Sequence, residues 1–129
     1  MNPNWFNDII SIDKNNLWEA IMYKKITKND KITRKITDVH SADNYLTKET
    51  TKNISLAINR LNGNLDLVKT VNERVFYFIS ADVDFIIDNE KIHFEDGDVL
   101  YLSKDTIYSA TGKFEAVVIN SPAFGVIKE

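Results

Sequence analysis

Chemistry in this chain has to be built from two histidines, three arginines, five tyrosines and the carboxylates, because cysteine is absent. That absence removes thiolate catalysis, disulfides and cysteine-ligated zinc. A transition-metal site needs convergent imidazole and carboxylate ligands. His93 lies between Ile92 and Phe94 on a strand-like run and faces away from both. His40 lies in a polar stretch. The ordinary reading of both is a surface or hydrogen-bonded histidine; a ligand set of His93, Glu115 and an aspartate is the one metal arrangement left open. Glu95, Asp96 and Asp98 crowd a turn, where a solvated face explains them. No phosphate-cradling glycine loop, Ser-His-Asp arrangement or nucleophile elbow occurs. Lysine outnumbers arginine 13 to 3, so each arginine draws attention.

The elements that must carry these residues read mostly as strands. Ile54–Leu61 alternates apolar and polar residues, Asn62-Gly63-Asn64 signals a tight turn, and Leu65–Val71 reads as the returning strand. Arg74–Ile79 is dense in aromatic and β-branched residues, the composition of a strand buried on both faces. Val83–Ile87 and Glu90–Phe94 flank Asp88-Asn89 as a two-residue hairpin, and Glu95–Asp98 makes a second turn. Val99–Leu102, Thr106–Ala110 and Phe114–Asn120 complete the series. Short strands punctuated this regularly mark a sandwich or barrel. Before residue 54, Ile32–Thr37 reads as a strand and His40–Lys52 as a polar loop. Leu17, Trp18, Ile21, Met22 and Lys25 fit one face of a short helix, with a strand as the alternative.

Composition bounds the function classes. The chain has 129 residues and a formal net charge of −3, a balance that argues against nucleic acid as the main partner. Lys24–Lys35 is a local basic stretch that reads as a solvated hairpin. No apolar run approaches the roughly 20 residues of a membrane span. The N-terminus lacks the layout of a signal peptide, so a cytoplasmic location is expected. One structural domain is expected, with residues 1–53 as an extension packed on a core of residues 54–129.

From Ile54 to Phe124 the chain resembles the cupin superfamily. Gly97-Asp98 matches the opening of that family's second motif. Ser103 then stands at its proline, Asp105 at its second glycine and Tyr108 at its metal-binding histidine. Val75–Ile79 matches the strand of the first motif, which puts Arg74 at the ligand glutamate, or Glu73 there if the register slips by one. Leu67–Val71 should hold the family's His-x-His pair and holds no histidine. Asn120-Ser121-Pro122-Ala123-Phe124 is similar to the close of many small cupins.

The resemblance implies an all-β, cupin-like double-stranded β-helix (a jelly-roll barrel) with an N-terminal strand or short-helix extension. It also implies a homodimer, for which Trp5, Phe6 and Trp18 would suit an interface or a crossing arm. With every ligand position replaced, neither a metal nor another cofactor is expected. Arg74 would enter the barrel with Phe76 and Phe78 on its face, paired with Glu73, Glu115 or an aspartate, or else with the anionic group of a ligand. Arg74, Phe76, Phe78 and Tyr108 are thus the candidate ligand-binding residues, and Tyr108 the candidate for proton transfer. The expected function is metal-independent binding of a small molecule, anionic or sugar-like. The alternatives are a metal-independent sugar isomerase or epimerase, and a barrel plugged by its own aromatics that serves a structural or oligomerising role.

Overall fold

The computed structural model describes residues 22–126, and its regular elements are all strands. They are β1 (Ile32–Lys35), β2 (His40–Leu46), β3 (Ser55–Lys69), β4 (Glu73–Ile87), β5 (Glu90–Glu95), β6 (Val99–Leu102) and β7 (Ile107–Ser121). All pair antiparallel, in the order β1-β2-β3-β7-β4-β5, with β6 beside the first half of β4. The expected all-β class is what forms.

Three strands, β3, β4 and β7, run for 15 residues each. A straight strand of that length measures about 50 Å. Such strands must bend to share one core, and the bends are visible in the ladders. Register shifts fall between Phe78 and Ser80 where β4 meets β7, and between Leu65 and Val68 where β3 meets β7. Between them Gly63 pairs with Gly112, and Gly112 with Val83. Gly112 has φ 136°, and a Cβ there would stand 2.7 Å from the Val83 Cα. Backbone cannot yield as a side chain can, so glycine is required at this crossing.

The same crossing corrects the expected hairpin at Asn62-Gly63-Asn64. These residues lie inside β3, and their partners are on β7, far along the chain. The two segments 106–110 and 114–120 likewise join into the single strand β7. A local turn signal lost to long-range pairing in both places. The segment 40–52 is also not all loop, because His40–Leu46 forms β2. Its polar residues are absorbed by partners. Asp43 accepts from Thr33 Oγ1 at 2.7 Å and from Arg60 Nη1 at 2.8 Å, and Lys31 Nζ lies 3.4 Å away. These bonds, Arg60's first, hold the Asp43 carboxyl at about 2, so it stays charged in ordinary buffers. Arg74–Ile79 proves to be buried on one face only. Phe76 and Phe78 point in, while Tyr77 and Ile79 are exposed. The helix expected over residues 17–25 lies outside the described residues apart from Met22–Lys25, which are not helical. Trp5, Phe6 and Trp18 also fall outside them.

Two local expectations match the backbone. Asp88 and Asn89 take φ 52° and 63°, the conformation of a two-residue hairpin turn. In the second turn, the Gly97 N–H donates to Phe78 O at 2.7 Å and the Phe78 N–H to Asp98 O at 2.9 Å. The Gly-Asp turn therefore clasps β4 at its bulge. Asp105, matched above to a motif glycine, has φ 66°, a conformation glycine adopts freely.

Inside, Phe76, Phe78, Phe85, Phe94, Phe114 and Tyr108 form one buried aromatic cluster. Ring centroids stand 5.0 Å apart for Phe78–Phe94 and 5.7 Å for the stacked Phe85–Tyr108 pair. Such pairs contribute about 0.5–1.5 kcal/mol each beyond burial. The cluster fills the part of the barrel between β4, β5 and the start of β7.

The two glycines of the crossing give an ordered prediction. Gly112→Ala should destabilise the protein by several kcal/mol, on the order of 3 or more, because backbone atoms must shift. Gly63→Ala should cost less, because its Cβ would meet the Val39 side chain, at 3.0 Å, which can move. Urea midpoints of the two variants check this, and a smaller loss for Gly112→Ala would contradict the account.

Candidate functional site

Beyond the aromatic cluster the barrel is open. A cavity of about 260 Å³ lies between β1, β2, β3, β4 and β7. Phe76, Tyr108, Phe114 and Val118 supply its apolar inner surface. Arg34 and Ile36 of β1, with Thr47 and Phe124, also line it. The barrel is thus plugged in one part and hollow in another.

Arg74 enters this cavity from β4, where it pairs with Asn120 of β7 and Leu102 of β6. Its Nε–H donates to Asn120 Oδ1 at 2.8 Å, and Nη1 donates to Tyr108 OH at 2.7 Å. A guanidinium carries five N–H groups. Three of these, one on Nη1 and both on Nη2, have no hydrogen-bond partner among the described residues. No carboxylate there lies within salt-bridge range of Arg74. The internal ion pair expected for it is therefore corrected. Glu73 faces the other side of the sheet and accepts from Tyr101 OH at 2.7 Å, and Glu115 is held by Arg60 Nε at 2.7 Å. Alternation along β4 sends Arg74, Phe76 and Phe78 inward and Glu73 outward, which decides the register in favour of Arg74.

The chemistry of this trio is one-sided. Asn120 Oδ1 and the Tyr108 oxygen each accept from Arg74. What remains unpartnered is the rest of the guanidinium, the Asn120 amide N–H₂ and the Tyr108 O–H. All are donors. Burial raises the Tyr108 pKa above its ordinary value against the opposing pull of Arg74. The phenol is therefore neutral at physiological pH, a donor rather than a base. Among the described residues no Asp or Glu lines the cavity, although acidic residues outnumber basic ones 19 to 16 in the chain.

Of the four residues expected to bind a ligand, Arg74, Phe76 and Tyr108 line the cavity. Phe78 does not: it is fully buried within the aromatic cluster, where β4 has carried it past the hollow part. Asn120, His40, Arg34 and Phe124 line it without having been picked out for it. Asn120 is readable only once β7 is known to pair with β4. His40 is brought in by β2, whose polar sequence hid the strand. Its Nε2 sits 2.8 Å from Asn59 Oδ1, and its Nδ1 is sealed from solvent with no partner among the described residues. His93 is on the outer face, 2.8 Å from Asp84 Oδ1, whose carboxylate raises its pKa. The metal set left open, His93 with Glu115 and an aspartate, is not brought together. Among the described residues no three His, Asp or Glu side chains group to hold an ion.

Removing the Tyr108 hydroxyl should have two effects. Tyr108→Phe deprives Arg74 Nη1 of its acceptor and should cost about 1 kcal/mol near neutral pH. It should also flatten the alkaline loss of stability. With a folded pKa raised above 10.0, the parent keeps its full phenol contribution below 10.0 and loses it as pH climbs through the folded value. Urea unfolding at about pH 8 and about pH 11 checks both; an unchanged pH slope would count against a buried, neutral Tyr108.

No protein-family model matches the chain, and no curated protein sequence matches it. Solved structures do. KdgF from Halomonas sp. superposes with a TM-score of 0.70 at 10% identity, over 81% of this chain and 97% of that one. Streptomyces PAC13, solved with uridine, gives 0.69 at 15% identity, over 81% and 86%. An RmlC-like cupin from Shewanella frigidimarina gives 0.67 at 10% identity, over 82% and 95%. At these identities the likeness is one of fold.

Proposed function

We propose that this chain, whose fold is that of the cupin superfamily, binds a small anionic organic molecule in the hollow part of its barrel, without a metal. One observation carries the reading: Arg74, Asn120 and Tyr108 bond to one another and turn mainly donors to a cavity with no acid among the described residues of its wall. A half-buried guanidinium without a counter-ion is costly, and a ligand carboxylate or phosphate would supply one. The wall is otherwise mainly apolar, with His40, Asn44, Thr47, Ser55 and Asn59 as its further polar residues, and suits a ligand with a hydrocarbon or ring body. At about 30 Å³ per water-sized group, the cavity takes on the order of ten non-hydrogen atoms.

The isomerase or epimerase alternative gains one point, since His40 and Tyr108 line the same cavity. It loses more. One His40 nitrogen is engaged by Asn59 and the other is sealed, so neither is presented for proton transfer. The fully plugged barrel is disfavoured by the cavity itself. Binding therefore ranks first.

The test is a calorimetric and thermal-shift panel of small carboxylic acids, sugar phosphates and neutral sugars. The parent should bind members of the anionic set, and Arg74→Gln should weaken them roughly ten- to hundredfold, the worth of charged hydrogen bonds. Arg74→Lys keeps the charge and loses the fork, so it should fall between. Equal binding by parent and Arg74→Gln, or a preference for neutral sugars, would end the reading.

The homodimer belongs to the same proposal. Across β4 and β6 the outer face sets Val75 beside Tyr101 and Tyr77 beside Val99, and the last three are 56%, 48% and 58% exposed. Sedimentation should return twice 14.8 kDa, and Tyr77→Lys should return it to the single mass. A monomeric parent would remove this part.

A further inference from the structure

The chain has three arginines, and the described residues treat them in two ways. Arg60 is saturated: Nη1 donates to Asp43 at 2.8 Å and Nε to Glu115 at 2.7 Å. Arg34 and Arg74 have no carboxylate within salt-bridge range among the described residues, and these are the two that line the cavity. The contrast is sharpest in and just before β1. Lys31 and Lys35, three residues before Arg34 and one after, stand 3.4 Å from Asp43 and 3.2 Å from Asp38. Acid is available along this strand, and Arg34 is passed over.

Arg34 is also held in place. Its guanidinium carbon lies 5.6 Å from the centre of the Phe124 ring. Phe124 is anchored in turn, its N–H donating to Ser55 Oγ at 2.8 Å. Cation–π stacking uses the flat face of a guanidinium and leaves its N–H edge for an anion. Arg34 is exposed where Arg74 is half-buried, so the two mark the outer and inner limits of one hollow. Ala42, Ala57, Phe76 and Val118 on its wall offer nothing polar in their side chains.

We infer that the ligand carries two anionic groups joined by an apolar spacer, one group read by Arg74 with Asn120 and Tyr108, the other by Arg34 at the lip. This deepens the anion-binding reading above and rests on it. The ligand class is an α,ω-dicarboxylate, or a carboxylate with a phosphate at its far end, of roughly the ten non-hydrogen atoms that the cavity holds.

Hexanoate and adipate share a six-carbon chain and differ by the second carboxylate, so they isolate the question. Titration calorimetry should give adipate roughly fivefold tighter binding than hexanoate to the parent protein, the scale of an exposed ion pair. Arg34→Gln should bring the ratio close to one, chiefly by weakening adipate. Added salt should shrink the adipate preference before it weakens hexanoate, because exposed charges are screened first. Arg74→Gln should weaken both acids. Pimelate and suberate extend the series to find the best spacing, and a phosphono acid of the best length decides between the two kinds of far end. Equal binding of adipate and hexanoate, or a ratio that survives Arg34→Gln, overturns the two-anion inference and leaves the anion pocket standing. Hexanoate binding that survives Arg74→Gln overturns the pocket reading itself. No binding of any acid at about 10 mM overturns both.

Discussion

The close approach of the β7 and β4 backbones at Gly112 is the constraint on which the rest depends. There β7 passes between β3 and β4 with no room for a side chain. On either side of the crossing the long strands run on in different directions, and this lets one continuous ladder wrap a core that a flat sheet could not enclose. A Cβ at Gly112 would push β4 away, and with it Val83 and Phe85 on the inner face. The aromatic cluster and the cavity share Phe76, Tyr108 and Phe114 as a common wall.

Two demands coexist at that shared wall. A well-packed aromatic core wants rings and no water, and a guanidinium wants hydrogen-bond partners. Here Tyr108 joins the two, with its ring stacked on Phe85 and its hydroxyl accepting from Arg74. Asn120, two residues past Val118, completes the polar side without placing a carboxylate in the barrel. Neutral partners orient Arg74 and leave its charge to act outward into the cavity. A carboxylate in either place would have cancelled it.

How much could be read in advance varied with how local the determining physics was. The Asp88-Asn89 hairpin and the Gly97-Asp98 turn are set by residues within a few positions of each other, and both were legible. The inward placing of Arg74 and Tyr108 came from the motif positions of the resemblance, and two-residue alternation then set Phe76 on the face of Arg74. Asn62-Gly63 was misread because both residues lie inside a long strand, and only their pairing with Lys113 and Gly112 reveals that. Strand β2 was missed because His40, Asp43 and Asn44 lack an apolar rhythm, and their burial depends on Asn59, Arg60 and Thr33. Phe78 was placed on the correct face yet at the wrong depth, since face is a matter of alternation and depth a matter of where the barrel is filled. The likeness to known structures is one of fold.

The place of β7 bears on how the chain comes together in time. It is the last of the seven strands, yet it lies in the middle of the ladder, between β3 and β4. Ser55 must wait for Asn120 and Phe76 for Val118. The five strands from β2 to β6 therefore exist during synthesis as two separate groups, β2 with β3 and β4 with β5 and β6, each with an unsatisfied edge and half of a core. Folding of the core is consequently a late and highly cooperative event that follows translation of β7, and it is slow in the manner of topologies dominated by distant pairings. Until then the nascent chain presents its aromatic faces and open edges together, the condition under which chaperones are recruited.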